Sequence, residues 1–190
     1  KAFAQPISRR FELGPLGRGW AHNWQLSLAK DTDGTVKIID MTGTPRIFQP
    51  DSRRPGQYLG TTGDHGVLAS LGGGALRLTE TDGTAYVFRP DGKLDYVEDT
   101  NGNRITCSYT LIEVELGIIK GIFFPPIQRL ELTGLSHSSG QSLAIAYNGS
   151  GRIASVTDSD GRQALYTYDA ANEHLLSVRD YDGRVTGYTY

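Results

Sequence analysis

Apolar and polar positions along this chain alternate in short runs, with no sustained helical spacing. Ile105, Cys107 and Tyr109 occupy every second position, as do Leu143, Ile145 and Tyr147. That is the period of a strand with one buried face. Around these runs stand Asn101-Gly102, Asp160-Gly161 and Asp182-Gly183, dipeptides suited to the positive-φ positions of a type I′ hairpin turn. The pattern predicts strand, turn, strand, with Gly102, Gly161 and Gly183 as the structural turn residues. Helix formers never run for more than a few residues, so the expected fold class is all-β.

The hairpins repeat in register. Counting Gly92 as zero, Leu94, Val97, Asp99, Gly102 and Tyr109 fall at offsets +2, +5, +7, +10 and +17. Ile153, Val156, Asp158, Gly161 and Tyr168 fall at the same offsets from Gly151, and Leu175, Val178, Asp180, Gly183 and Tyr190 from Glu173. A weaker copy counts from Leu130, with His137 in the aspartate place and Tyr147 at its end. The +2 and +5 positions are both apolar yet of opposite parity, which a regular strand does not accommodate, and a bulge is expected there. One such unit buries too few side chains to offset the entropy of ordering its backbone, so neighbouring copies must share strands and a face.

Two regions follow: residues 1–80, a looser N-terminal series of hairpins, and residues 81–190, the repeats proper. In the first, Asp33-Gly34 and the paired elements Phe48-Gln49-Pro50-Asp51 and Phe88-Arg89-Pro90-Asp91-Gly92 repeat the same grammar. Asp51 to Gly74, rich in Gly, Arg and Pro, is expected to be a long loop or irregular connection. In the second, extra residues from about Leu111 to Arg129 separate the first and second copies. Their apolar side chains, Ile118, Ile119, Ile122, Phe123, Phe124 and Ile127, are expected in a hairpin or extended segment that folds back over a sheet face, as a contact element filling the core or meeting a partner.

Composition narrows the partners. Nineteen basic residues against 21 acidic ones give a net charge of −2 without blocks of one sign, so no nucleic-acid or anionic-lipid footprint is present. Cys107 is the single cysteine, which excludes an internal disulfide framework. The most apolar stretch, Leu116 to Ile127, is interrupted by Lys120 and two prolines, too short for a membrane span. The chain starts at Lys1 without an initiator Met or signal-peptide pattern and stops at Tyr190 within the repeat pattern, so it is expected to be an excised piece of a longer protein.

Three groups of residues carry a resemblance. They are Leu13-Gly14-Pro15-Leu16-Gly17-Arg18-Gly19-Trp20-Ala21-His22-Asn23-Trp24, the Phe-x-Pro-Asp-Gly element ending at Gly92, and Gly151 to Gly161 with its Tyr166-Thr167-Tyr168-Asp169 tail. Together they resemble the Rhs/YD-repeat family, which includes bacterial polymorphic toxins, shell-forming subunits of insecticidal toxin complexes and animal teneurins. The likeness covers nearly the whole chain. It implies YD-repeat antiparallel hairpins in a spiralling sheet that closes into part of a hollow shell, enclosing a toxic C-terminal domain in bacterial members and forming part of an adhesion receptor in animal ones. Implied partners are the other repeats and the C-terminal domain of the same protein, or a glycan or receptor, and the implied location is secreted or on the cell surface. The chain departs from the family in its insertion, and the C-terminal aspartate motifs linked to self-cleavage are not in it.

Candidate chemistry is sparse. Asp-x-Asp-Gly at Asp31, Asp158 and Asp180 has its glycine and distal acid at the wrong positions for a calcium loop, and reads as turn residues. Trp20, His22 and Trp24 form the one candidate aromatic binding group, able in principle to stack on a sugar, against the plainer reading of a packed entry segment. Asn148-Gly149-Ser150 is a glycosylation sequon that matters only in a eukaryotic secretory route. No nucleophile elbow, zinc motif or phosphate loop occurs. The expectation is therefore no catalytic residue, no cofactor, no metal, and a structural rather than enzymatic role, with an adhesive glycan- or receptor-binding module as the alternative.

Overall fold

The computed structural model describes residues 2–3, 10–40, 43–115, 117–119 and 122–190, and side chains outside the strands at 2–3, 117–119 and 122–124. The N-terminal segment holds β1 (Ala2–Phe3), β2 (Leu13–Gly14), β3 (Gly17–Arg18) and β4 (Trp20–Ala21), followed by a single 3-10 turn at Asn23–Gln25. A long series follows: β5 (Ser27–Lys30), β6 (Val36–Ile39), β7 (Pro45–Pro50), β8 (Gln57–Gly60), β9 (Val67–Gly72), β10 (Ala75–Thr79), β11 (Ala85–Phe88) and β12 (Leu94–Glu98). Beyond it come β13 (Arg104–Val114), β14 (Gly117–Ile119), β15 (Ile122–Phe124), β16 (Ile127–His137), β17 (Ser142–Tyr147), β18 (Ile153–Asp158), β19 (Gln163–Tyr168), β20 (Leu175–Arg179) and β21 (Val185–Gly187).

Among the described residues, β5 to β13 and β16 to β21 form one antiparallel sheet of 15 strands in which each strand pairs with the next of the sheet in chain order, β13 with β16 across β14 and β15. The sheet runs without a break across residue 80, where β10 pairs β11 from Leu76↔Phe88 to Thr79↔Ala85. It is open, and it curls. The Leu28 N–H donates to the Gly92 carbonyl at 2.8 Å and Ser27 bridges Lys93, returning β5 to the turn between β11 and β12.

One face carries the core. Val36, Ile38, Phe48, Leu68, Leu76, Leu78, Phe88, Leu94, Cys107, Leu132 and Leu135 form a continuous buried cluster, with Trp24 and Leu26 of the N-terminal segment packed against it. Burial in this cluster pushes the Cys107 thiol up to about 11, so it behaves as a small apolar side chain.

One sequence expectation is corrected here. Asp51 to Gly74 is not a loop: β8 and β9 lie within it and pair Gln57↔Ala69 and Tyr58↔Leu68. These strands are short and glycine-flanked, and Leu68 and Tyr58 alone anchor them to the core, too weak a periodic signal beside the Gly, Arg and Pro content. The insertion lies in a hairpin, one of the two forms expected of it. It lengthens one hairpin, so that β13 and β16 are 11 residues each and stay paired from Ile105↔His137 to Val114↔Ile127. Pro125 and Pro126 end the pairing there, as an imide without an N–H must. Val114 is buried, and the Glu115 N–H donates to the Gly149 carbonyl at 2.8 Å, so the base of this arm leans on the turn between β17 and β18. The side chains of Ile118, Ile119, Ile122, Phe123 and Phe124 lie outside the described residues.

Candidate functional site

The unit to be understood is the repeated hairpin, and it begins at its turn. In four copies the N–H at +10 donates to the carbonyl at +7: Gly102 to Asp99, Gly140 to His137, Gly161 to Asp158 and Gly183 to Asp180, at 2.9 to 3.2 Å. The N–H at +7 donates across to the carbonyl at +11. Gly102, Gly161 and Gly183 have φ of 80°, 82° and 83°, but Asn101, Asp160 and Asp182 do not share the left-handed region. The turn is therefore a three-residue loop closed by a left-handed glycine, and not type I′. Asn172 fills the glycine's place in the turn before Leu175, with φ 55°, a conformation asparagine tolerates best among non-glycine residues.

The aspartate at +7 is what tightens this loop. Asp99 Oδ1 accepts the N–H of Asn101 and Asn103, Asp158 Oδ1 those of Asp160 and Arg162, and Asp180 Oδ1 those of Asp182 and Arg184. In the divergent copy, His137 Nδ1 takes the Ser139 N–H at 3.1 Å. The side-chain bond to Asn103 leads the causes that hold the Asp99 carboxyl below its ordinary value. These acids are spent on backbone donors, which is why Asp-x-Asp-Gly reads as turn chemistry.

Behind the turn stands the bulge that the +2 and +5 parity required. Strand register slips by one residue between Val87 and Phe88, Ser108 and Tyr109, Ala146 and Tyr147, and Thr167 and Tyr168. The extra residue is Asp95, Thr133, Ala154 or Leu176, always at +3, so +2 and +5 turn to one face. Pairing with the following strand ends at +4, at Tyr96, Gly134, Ser155 and Ser177. The +2 carbonyl beyond it is met by a tyrosine hydroxyl instead. Tyr109 donates to Leu94, Tyr147 to Leu132, Tyr168 to Ile153 and Tyr190 to Leu175, at 2.8 to 3.0 Å and always 15 residues back. Burial raises the Tyr109, Tyr147 and Tyr168 phenols well above their usual range. The three rings are half-buried rather than fully enclosed. The constant spacing between the +2 residue and the tyrosine was the sequence signal for this tether.

The N-terminal segment crosses these repeat starts. The Ile153 N–H donates to the Pro15 carbonyl at 2.8 Å, and the Arg18 N–H to the Glu173 carbonyl at 2.7 Å. Arg18 Nη2 also meets Glu173 Oε2 at 2.5 Å, and Leu16 is buried. Gly17 is required: with φ 89°, a Cβ there would sit 2.8 Å from the Glu173 carbonyl oxygen.

The candidate aromatic group is split by this path. Trp20 turns toward the C-terminal strands, where its indole N–H donates to Tyr190 Oη at 2.7 Å and its ring meets Tyr188 edge-on at 5.1 Å. Trp24 packs on the core and, with His22, lines an apolar cleft of about 310 Å³ that includes Leu16, Ile145, Val156 and Tyr166. A second cleft, of about 320 Å³, adjoins both residues with Lys93, Tyr109, Arg129 and Tyr147. Burial depresses the His22 imidazole to about 4. The structure thus brings His22 and Trp24 together and sends Trp20 elsewhere. The sequon residue is committed as well: Asn148 Oδ1 accepts the Ser150 and Arg152 N–H groups, and its Nδ2 donates to Asn172 Oδ1 at 2.9 Å.

Among the described residues no helix is long and apolar enough to cross a membrane. No curated protein matches the chain in sequence. Residues 147–173, from the tyrosine ending one copy to the start of the last, match the family model described as RHS Repeat. That match falls on a hairpin whose turn, bulge and tyrosine tether recur in the other copies, so the chain carries an RHS repeat and is similar to the Rhs/YD-repeat family there.

Proposed function

We propose that this chain is a non-catalytic section of wall in a larger secreted or surface protein, where the curled sheet encloses or presents another domain. The observation that carries this reading is the single open sheet whose strands pair in chain order. Such a sheet grows by adding hairpins without changing those already placed. Its apolar face is turned to one side, and its curl brings β5 back to the turn after β11. The test uses the longer protein that carries the chain. Limited proteolysis should leave its other domain intact while the wall is folded, and Gly161→Val should expose that domain to cleavage. Equal cleavage in parent and variant overturns enclosure. An adhesive role rests on the Trp20, Tyr188 and Tyr190 aromatic group at the C-terminal edge, where Tyr190 is 62% exposed. Glycan or receptor binding that is lost in Trp20→Ala would favour it.

A further inference from the structure

The cleft of about 320 Å³ between the N-terminal segment and the sheet joins apolar walls from Trp24, Leu132 and Tyr147 to the charges of Lys93, Arg129 and Glu131. We propose that it binds a small ring-bearing carboxylate, an acidic sugar or an aromatic acid, whose anionic end meets Lys93 and Arg129 and whose ring lies against Trp24 and Tyr147. Trp20 is not among its walls, so the site is separate from the aromatic group at the C-terminal edge, and it does not depend on whether the wall encloses another domain.

Positive charge is in excess at this place. Lys93 is half-buried, and among the described residues its ammonium meets no carboxylate but rests over the Tyr109 ring, 5.4 Å from its centroid. Arg89 lies over the same ring at 5.3 Å, but Asp91 balances its charge at 2.9 Å. Arg129 is paired with Glu131, and its guanidinium makes no other hydrogen bond among the described residues. Arg129 Nη1 lies 3.6 Å from where a Gly151 Cβ would be, which brings Arg152 into the same neighbourhood. Arg152 is 6% exposed and donates to the Asn172 and Gly151 carbonyls at 2.9 and 3.2 Å, with no carboxylate partner among the described residues. Burial, and after it repulsion from Arg129, lowers its guanidinium from the ordinary value. Glu173, a further acid acting on it, is held by Arg18. Lys93, Arg129 and Arg152 against Glu131 therefore leave two positive charges in excess, in a chain whose net charge is −2.

A cation withdrawn from water without a counter-ion is costly, and apolar walls beside it strengthen its pull on an anion. A carboxylate answers both cations, with one oxygen for the ammonium and one for a guanidinium N–H. The volume is at the small end of ligand pockets, enough for one ring and its substituents. A neutral sugar would fill the same space and leave Lys93 unpaired.

The test is an NMR titration of the intact chain read at its two indole N–H signals, which Trp20→Phe assigns. The probes are 4-hydroxybenzoate and glucuronate, with 4-hydroxybenzamide and glucose as neutral counterparts. The Trp24 signal should move while the Trp20 signal stays, with a dissociation constant on the order of 1 mM for at least one acid, and the acid that binds names the class of ring. Lys93→Gln should weaken that binding at least about fivefold. Lys30→Gln, which removes a charge from the exposed end of β5, should leave it unchanged. No Trp24 shift with either acid at about 20 mM, equal shifts from an acid and its neutral counterpart, or parental affinity in Lys93→Gln overturns the proposal.

Discussion

A tyrosine that ends each repeat contributes in two separable ways, through its ring and through its hydroxyl. The ring covers the sheet face, while the hydroxyl satisfies a +2 carbonyl that lies past the end of strand pairing. Tyr147→Phe keeps the ring and leaves the Leu132 carbonyl without its donor, so it should cost about 1–2 kcal/mol in urea unfolding. Tyr190→Phe should cost less, since Tyr190 is exposed. A Tyr147→Phe variant as stable as the parent would remove the tether from the account. His22 makes a second prediction. Burial holds its ring at about 4 when folded, against an ordinary imidazole value of about 6.5, so the unfolded chain takes up the proton first. Stability from this group is present above about pH 6.5 and falls by up to about 3 kcal/mol as pH drops toward 4. In His22→Gln, stability should vary less with pH across that window, and parallel curves for the two proteins would contradict the burial argument.

At the level of elements, the left-handed glycine decides whether a hairpin closes. Gly161→Val places a branched side chain at φ 82° and should cost about 1–3 kcal/mol. Gly149→Val should matter less, because a Cβ at Gly149 would make only ordinary contacts near 3.8 Å with the Glu115 side chain. Equal losses in the two variants would argue against the turn assignment. The β13–β16 arm offers a different test. Leu111 and Leu130 are cross-strand partners, so replacing residues 112–129 with Asn-Gly should preserve the sheet and lower the melting temperature only by the loss of Val114 packing and the Glu115 N–H to Gly149 bond. Failure to fold would show that the arm is part of the core. Turn glycines, strand alternation and the bulge were legible because each leaves a local mark within one copy. The loop type was not, since a dipeptide such as Asp160-Gly161 suits two turn geometries and only the Asp158 bonds select between them. The strands around Tyr58 and Leu68 were hidden because two anchoring side chains make no period.

On the scale of the whole molecule, what the sequence conceals is long-range. Arg18 and Glu173 are 155 positions apart, and Trp20 and Tyr190 are 170 apart; nothing local pairs them. They meet because the curl of the sheet brings the repeat starts under the N-terminal segment. Gly17→Val should push that segment from the Glu173 carbonyl and free Trp20 from Tyr188 and Tyr190, which a red shift in tryptophan emission would report. Unchanged emission would mean that the segment is held without this close approach. The central claim is that these hairpins make one continuous wall around an enclosed space, and electron cryomicroscopy of the longer protein is its most direct test. The map should show β5 to β13 and β16 to β21 as a single curved sheet with another domain beside its inner face. A sheet whose apolar face is filled entirely by its own chain, with no room for a second domain, would contradict it.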